Sequence, residues 1–534
     1  MINWIKGIFS KKKIESIKWQ VENSIYNKIE SNLDENGFPI DKDLELPDEE
    51  RKENEIKFAH GFTDAIFSSD QSVDEGRKIK ELSNLFEIIS SSGDEHSKFQ
   101  FYKKISENEN TVNIIDGFLE EIVSRRLSVR PYLYDYASDL ILKTENRNAV
   151  KFGIAIIGLC QDKESIRYVK KLGVHDEFTI YAAVAIINLS EKPQDDLWHL
   201  AKRTDGWGKI QVVEKLCQLE DLSDAIKYWL LVEGYKNNIM YEYLALSCAK
   251  AGDLKDKVSN DVISSELYNA TGELLVSMLD ESPAEGISSY KDAAFVIKQY
   301  IEHSKLQKIR LVDFIRLDTI KKYIIELKEN NLDTCNLSLD DIRYLAKTID
   351  EISNSKDWDL DIQKAIRSSV YTEYWNGKTA ARILKYDLKS IFWERLQKYP
   401  LDDISWFDYA NYVHAGNISQ IIELARKSLP LKILGQGPKD LSPFGKDYKL
   451  HSALERVILI LEKFPGRGVD IILVGLDSPI TRVRNMVLKV LSSWKIENWD
   501  QEIKMKLERL KEIEPNRDTL KNINLVTEGN KLPF

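Results

Sequence analysis

The stretch Ala155-Ile156-Ile157-Gly158-Leu159 returns 30 residues later as Ala185-Ile186-Ile187-Asn188-Leu189. A looser copy, Val212-Val213-Glu214-Lys215-Leu216, starts 27 residues after that, and residues 246–249 make a fourth some 30 further on. More charged helical segments lie between the copies, at 162–172, 193–202 and 222–232. A period near 30 that holds two helices is the mark of a helical solenoid. One helix pair cannot bury its apolar face alone, whereas stacked pairs share a continuous core and leave one curved face exposed. The spacing therefore predicts an all-α chain, an α-solenoid of stacked antiparallel helix pairs.

The pattern extends outward from this stretch. Ile79, Leu82, Leu85, Ile88 and Ile89 recur at helical steps, and Pro131 opens another helix, where its missing N–H is harmless. No run alternates apolar and polar residues long enough to demand a sheet. The sequence divides into a helical lead with an acidic linker (1–57), N-terminal helices (58–147), regular repeats (148–252), a less regular helical middle (253–434), a Gly/Pro loop (435–447), a C-terminal repeat (448–511) and a polar tail (512–534). Ten Asp and Glu residues fall within 34–56 beside Gly37, Pro39 and Pro47, which reads as a solvated linker. The expectation is one elongated repeat body.

Composition agrees with this. The chain has 534 residues, 43% hydrophobic, with 24 Gly, 13 Pro and a formal charge of −10. That length exceeds what one compact core organises, and scarce breakers favour helices. The acidic balance argues against nucleic acid, which needs a concentrated basic face. Cys160, Cys217, Cys248 and Cys335 show no C-x-x-C or zinc spacing; the first three sit in apolar helical runs and read as small buried hydrophobes, and a reducing, cytoplasmic compartment fits. Trp4, Ile5, Ile8 and Phe9 share one helical face, which suits packing on the body or contact with a membrane surface. No apolar run approaches the ~18 residues of a spanning helix.

Signatures of chemistry are thin. Gly435-Gln436-Gly437 tempts a dinucleotide reading, but the third glycine position is Asp440 and Pro438 interrupts the turn. Gly445-Lys446-Asp447 lacks the Ser/Thr of a phosphate loop. The seven histidines are His60, His96, His175, His199, His303, His414 and His451, and none pairs with another at helix spacing. Asp196 and His199 share a face as a single pair. His175-Asp176-Glu177 matches half of a two-His-one-carboxylate site and reads as a polar turn between helices. Catalytic, cofactor-binding and metal-ligating residues therefore stay unassigned. Three aromatic sets (Tyr371, Tyr374, Trp375; Phe392, Trp393; Trp406, Phe407, Tyr409, Tyr412) read as core packing, or as a groove for a hydrophobic ligand or peptide. Trp207 lies between Gly206 and Gly208, which suits a helix entry with close backbone approach: a wedge between repeats, or an exposed ligand anchor.

Two segments carry a resemblance. One is Asp477-Ser478-Pro479-Ile480-Thr481-Arg482-Val483-Arg484-Asn485-Met486 with its apolar continuation to Trp494; the other runs from Arg203 through Trp207 to Leu216. The first resembles a HEAT repeat, in which an Asp-x-Pro-like turn precedes a helix carrying a hydrophobic residue and Arg. Together they are similar to HEAT-like proteins of low-GC Gram-positive bacteria, some of which carry the name limonene hydroxylase. That resemblance implies a HEAT-like α-solenoid. It also implies oxidation of limonene to carveol or perillyl alcohol, with alcohol dehydrogenation to carvone or perillyl aldehyde. An enzyme of this kind is an NAD(P)H-dependent monooxygenase that uses NAD or NADP. The residues themselves equally suit a non-catalytic scaffold that binds a partner protein on its curved face. The partner is thus a small terpene or a protein.

Overall fold

A computed structural model describes residues 16–49, 58–66, 73–107, 111–127, 131–160, 162–282, 284–329, 336–442 and 448–532. Among them are 29 α-helices and no strand beyond two isolated bridges, Leu33 with Pro39 and Leu441 with Ile480. The chain is all-α. It divides into two compact units, Met1–Ser355 and Lys356–Phe534. No described helix is long and apolar enough to cross a membrane. Trp4, Ile5, Ile8, Phe9, Cys335 and 445–447 lie outside the described residues.

The first unit contains α1 (Ile25–Ser31), α2 (Phe62–Ile66), α3 (Val73–Ser92), α4 (Glu95–Ser106), α5 (Thr111–Ser124), α6 (Pro131–Leu142), α7 (Arg147–Leu159), α8 (Ile166–Leu172) and α9 (Thr179–Leu189). It continues with α10 (Pro193–Ala201), α11 (Trp207–Cys217), α12 (Asp224–Trp229), α13 (Glu242–Ala251), α14 (Leu254–Val258), α15 (Ser265–Leu279), α16 (Ala293–Ser304), α17 (Leu311–Glu329) and α18 (Leu339–Ser353). The four copies of the repeated stretch lie on α7, α9, α11 and α13. Each odd-numbered helix from α5 to α17 packs on the next odd one, and the intervening helices pack beside this row. Ile154, Ile156, Ile157, Ala182, Ala185, Ile186, Val212, Val213 and Leu216 are buried along it. Each fully buried Ile or Leu contributes about 1.5–3 kcal/mol of transfer free energy, so the repeated apolar stretch is also the energetic unit. At the α7–α9 crossing, a Cβ on Gly158 would sit 3.2 Å from Ala185 Cα, so a small residue here sets the helix spacing. Polar side chains mark the entries: Asn146, Ser223 and Ser264 each accept a backbone N–H in the first turn of α7, α12 and α15.

The acidic stretch differs from a free linker only in being tethered: apart from Leu46, its described residues 34–49 are exposed or half-buried. Residues 16–49 cross the ends of the repeat helices. Ile25 N–H donates to Thr144 O, Lys171 pairs with Glu30, Arg203 donates to Asn36 O, and Lys42 pairs with Asp205. Ile25, Tyr26, Ile29 and Leu46 are buried. Cations and carbonyls at the helix junctions hold this segment in place, and its own acidic residues supply part of the binding.

The second unit contains α19 (Asp359–Arg367), α20 (Tyr371–Ile383), α21 (Lys389–Lys398), α22 (Asp403–Tyr409), α23 (Ile418–Ser428) and α24 (Leu431–Leu434). It ends with α25 (Lys449–Leu461), α26 (Val469–Leu476), α27 (Thr481–Ser493), α28 (Gln501–Ile513) and α29 (Arg517–Thr527). Arg484, at the resemblance motif, is 1% exposed. Its guanidinium binds Glu514 on one side and the carbonyls of Lys439 and Ser478, each at 2.9 Å, on the other. This clamp explains a second difference. The polar tail contains a packed helix, α29, with Ile523 and Val526 buried, because its entry is tied to a buried ion pair that composition does not reveal. Asp477 and Ser478 do not cap α27: Ser478 Oγ accepts the Ile480 N–H, while Asp477 pairs with Lys506.

Candidate functional site

The turn entering α9 holds three charged or polar side chains, His175, Asp176 and Glu177; the fold buries the first and third and leaves Asp176 half-buried. Arg147 and Lys151 stand one turn apart on α7. Lys151, 4% exposed, bridges Asp64 of α2 at 2.6 Å and Glu177 at 2.7 Å. Tyr181 Oη donates to Asp64 at 3.2 Å. Arg147 reaches Glu177 at 3.8 Å and also binds Asp48 and Glu49 of the lead. Burial opposes the Lys151 ammonium, but Glu177 and Asp64 together outweigh it and hold its pKa above the lysine range. Burial also raises the Glu177 carboxyl, yet Lys151 and Arg147 bring it below the usual value. For Asp64 burial dominates and the pKa stays raised.

His175 and Asp176 face the other way. His175 Nδ1 accepts the Glu177 N–H at 3.3 Å, so Nε2–H donates to Leu44 O at 3.0 Å. Both ring nitrogens are thereby used, and the ring is neutral. Burial, and then the His60 ring 4.6 Å away, depress its pKa to about 4. His60 Nε2 meets Glu49 Oε1 at 2.5 Å. Asp176 packs onto the start of α11 and accepts the Gly208 N–H there; burial pushes its carboxyl up to about 6. This approach explains Gly206 and Gly208. A Cβ on Gly206 would lie 2.3 Å from Asp176 Oδ2, and one on Gly208 would lie 2.5 Å from Asp176 Oδ1 and from Thr179 Oγ1. Trp207, 6% exposed, wedges between Phe62 and Tyr243 with edge-to-face centroid separations of 5.5 and 5.2 Å.

Between these helix ends and the lead lies a pocket of about 610 Å³. Phe38, Phe58, Ile239 and the edge of Trp207 form its apolar parts, while Lys202, Arg203, Asp205, Asp176, His60 and Asn238 give it polar walls. His60, held by Glu49, and Asp176 both border it. The wall hydroxyl, Thr204 Oγ1, is directed at the Leu200 and Ala201 carbonyls. Among the described residues no group of three His, Cys, Asp or Glu side chains is arranged to hold a metal.

The candidates raised by the sequence separate accordingly into those the fold joins and those it does not. His175-Asp176-Glu177 is a turn, but a buried one that organises α2, α7 and the lead. Trp207 is the wedge, with one edge on the pocket. Asp196 and His199 are not joined: Asp196 serves Ser190 and Lys170, and His199 lies against Trp198. Gly435-Gln436-Gly437 follows a helical turn, α24, and Gly437 N–H donates to Asp477 O. Cys160, Cys217 and Cys248 carry free thiols, with only Cys248 fully buried. The sequence alone gives no special place to His60, Glu49, Asp64, Arg147 or Lys151. The one signal it offers is Lys151, a charge set inside the otherwise apolar inward stripe of 149–159. Comparison with family models, curated proteins and solved structures gave no match.

Proposed function

We propose that the chain is a non-catalytic HEAT-like α-solenoid that binds an extended segment of a partner protein at the Trp207 pocket. The observation that carries this reading is the lead. The ends of the repeat helices already hold one polypeptide segment, residues 16–49, helical at α1 and irregular beyond it, through backbone carbonyls, ion pairs and buried apolar side chains. The pocket continues that face and is of a size for a few further side chains. Its walls suit a polypeptide better than limonene, a hydrocarbon with nothing to offer Lys202, Arg203, Asp176 and Asp205, whose desolvation would go unrepaid.

Two measurements test it. The purified chain is incubated with limonene, oxygen and NADH or NADPH, and products are sought by gas chromatography. A photoreactive residue replacing Asn238 at the pocket wall is then activated in cells, with the same residue at exposed Met505 as control. One discrete adduct from position 238 alone, with no carveol or perillyl alcohol, supports the scaffold. Turnover that is lost on changing pocket residues would replace it with the oxidoreductase.

A further inference from the structure

The two units differ sharply in charge. Residues 1–355 contain 47 Lys and Arg against 62 Asp and Glu, a net of −15, while residues 356–534 contain 29 against 24, a net of +5. The acidic total thus conceals a basic second unit. Its helices also expose aromatic side chains that core packing does not use. Tyr374 and Trp406 are buried, but Tyr371 is 62%, Trp375 36% and Phe407 52% exposed.

These rings are interleaved with cations. Tyr371, Trp375, Lys378 and Arg382 follow one face of α20 at steps of four, three and four residues. The Lys378 ammonium lies 4.4 Å from the Trp375 ring centroid and 5.6 Å from that of Phe407 on α22. Asp408 holds it there; that carboxylate is 2% exposed in its side chain, and its other oxygen has no hydrogen-bond partner among the described residues. The Arg456 guanidinium of α25 sits 5.3 Å from the Phe407 ring and makes no ion pair among the described residues. Arg382 is likewise unpaired among them and exposed.

We infer that the α20–α22–α25 face of the second unit is a docking surface for an acidic polypeptide segment with interspersed apolar side chains. Trp375 and Phe407 are its anchors, and Arg382, Arg456 and Lys378 its carboxylate partners. Charge complementarity selects an acidic occupant. The number and setting of the cations select polypeptide over nucleic acid. Three cations, one already held by Asp408, do not track a phosphate backbone, and two of them cover ring faces on which bases would stack. This surface belongs wholly to the second unit and does not depend on the Trp207 pocket of the first.

The test titrates the full chain with a fluorescein-labelled random copolymer of glutamate and tyrosine, read by anisotropy at increasing salt. Glutamate homopolymer and oligothymidylate are the comparators. The copolymer should bind more tightly than either and weaken with salt. Trp375→Ala with Phe407→Ala should weaken it roughly ten- to thirty-fold, as loss of aromatic anchors does. Arg456→Glu should weaken it and Arg456→Lys should not, with circular dichroism confirming retained helix. Lys347→Ala, on α18 of the first unit and outside the Trp207 pocket, should leave it unchanged. Equal binding of the homopolymer, tighter binding of oligothymidylate, indifference to the double variant or loss in Lys347→Ala would each overturn the assignment.

Discussion

Replacing Lys151 by Met keeps most of the side chain's volume and removes its charge, leaving Asp64 and Glu177 buried without the cation that bridges them. Removing one partner of a buried ion pair costs about 3–5 kcal/mol, because the surviving charge keeps its desolvation penalty. The first unit spans 355 residues. At roughly 2.1 cal/mol/K per residue its unfolding entropy is about 0.75 kcal/mol/K, so Tm should fall by about 4–7 °C if the unit melts cooperatively. The sign of the pH dependence follows from the pKa directions. In the native chain the Glu177 pKa is lowered, so its stabilising contribution is present above the ordinary Glu value and lost as pH falls through the folded value. Without Lys151, burial and the mutual repulsion of Asp64 and Glu177 are opposed only by Arg147, the Gly61 N–H and the Tyr181 hydroxyl, so both pKa values rise and the variant loses less stability than the native chain as pH falls. The gap between variant and native chain should therefore narrow in acid. Thermal melts by circular dichroism at pH 7 and near pH 4.5 would measure both, with hydrogen exchange in α7 and α9 assigning the transition. Lys151→Met with Asp64→Asn and Glu177→Gln should recover most of the loss. A variant melting within about 1 °C of the native chain at pH 7, or a gap unchanged in acid, would refute the view that α7 and α9 are held by a charge-compensated cluster.

Other consequences are as direct. His175, a base depressed to about 4, loses stability as pH falls from its ordinary 6.5, by roughly 3 kcal/mol in all; Asp176, an acid raised to about 6, gains a similar amount as pH falls toward 3.8. The two nearly cancel, so Asp176→Asn should expose a steep loss of stability between pH 6.5 and 4 in denaturant titrations that the native chain lacks. Gly208→Ala should lower the first unit's Tm by displacing Asp176 from the start of α11, and adding Asp176→Ala should cost less than the two changes summed. In the second unit, Arg484→Leu should cost about 3–5 kcal/mol by stranding the Glu514 carboxylate, whereas Arg484→Leu with Glu514→Leu should return much of it in chemical denaturation.

The helix row is legible in the sequence because its cause is periodic. Ala155–Leu159, Ala185–Leu189 and Val212–Leu216 each return apolar residues to the buried side, and each lies on a helix that packs on the next. The candidate site is not legible, because it is assembled from residues far apart in sequence. Glu177 acquires its meaning from Lys151, and Lys151 from Asp64, a partner 87 residues away. The same blindness affects the lead and the tail. Charged residues suggest solvent when read locally, yet Asp48 and Glu49 meet Arg147, and Glu514 meets Arg484 in a fully buried pair. Local composition reports a charge and omits its partner.

The lead's position also sets an order of events during synthesis. Glu30 meets Lys171 at a separation of 141 residues, Lys42 meets Asp205 at 163 and Asn36 meets Arg203 at 167. None of these contacts exists until the ribosome has delivered the helix junctions that receive them. At about 5–20 residues per second, that is a delay of roughly 10–30 seconds. Until α8 is made, α1 has only α6 to pack on, and Ile25, Tyr26 and Ile29 stay incompletely covered. The lead thus waits on junctions made after it, and the nascent chain carries an incompletely covered apolar strip that a chaperone has time to find.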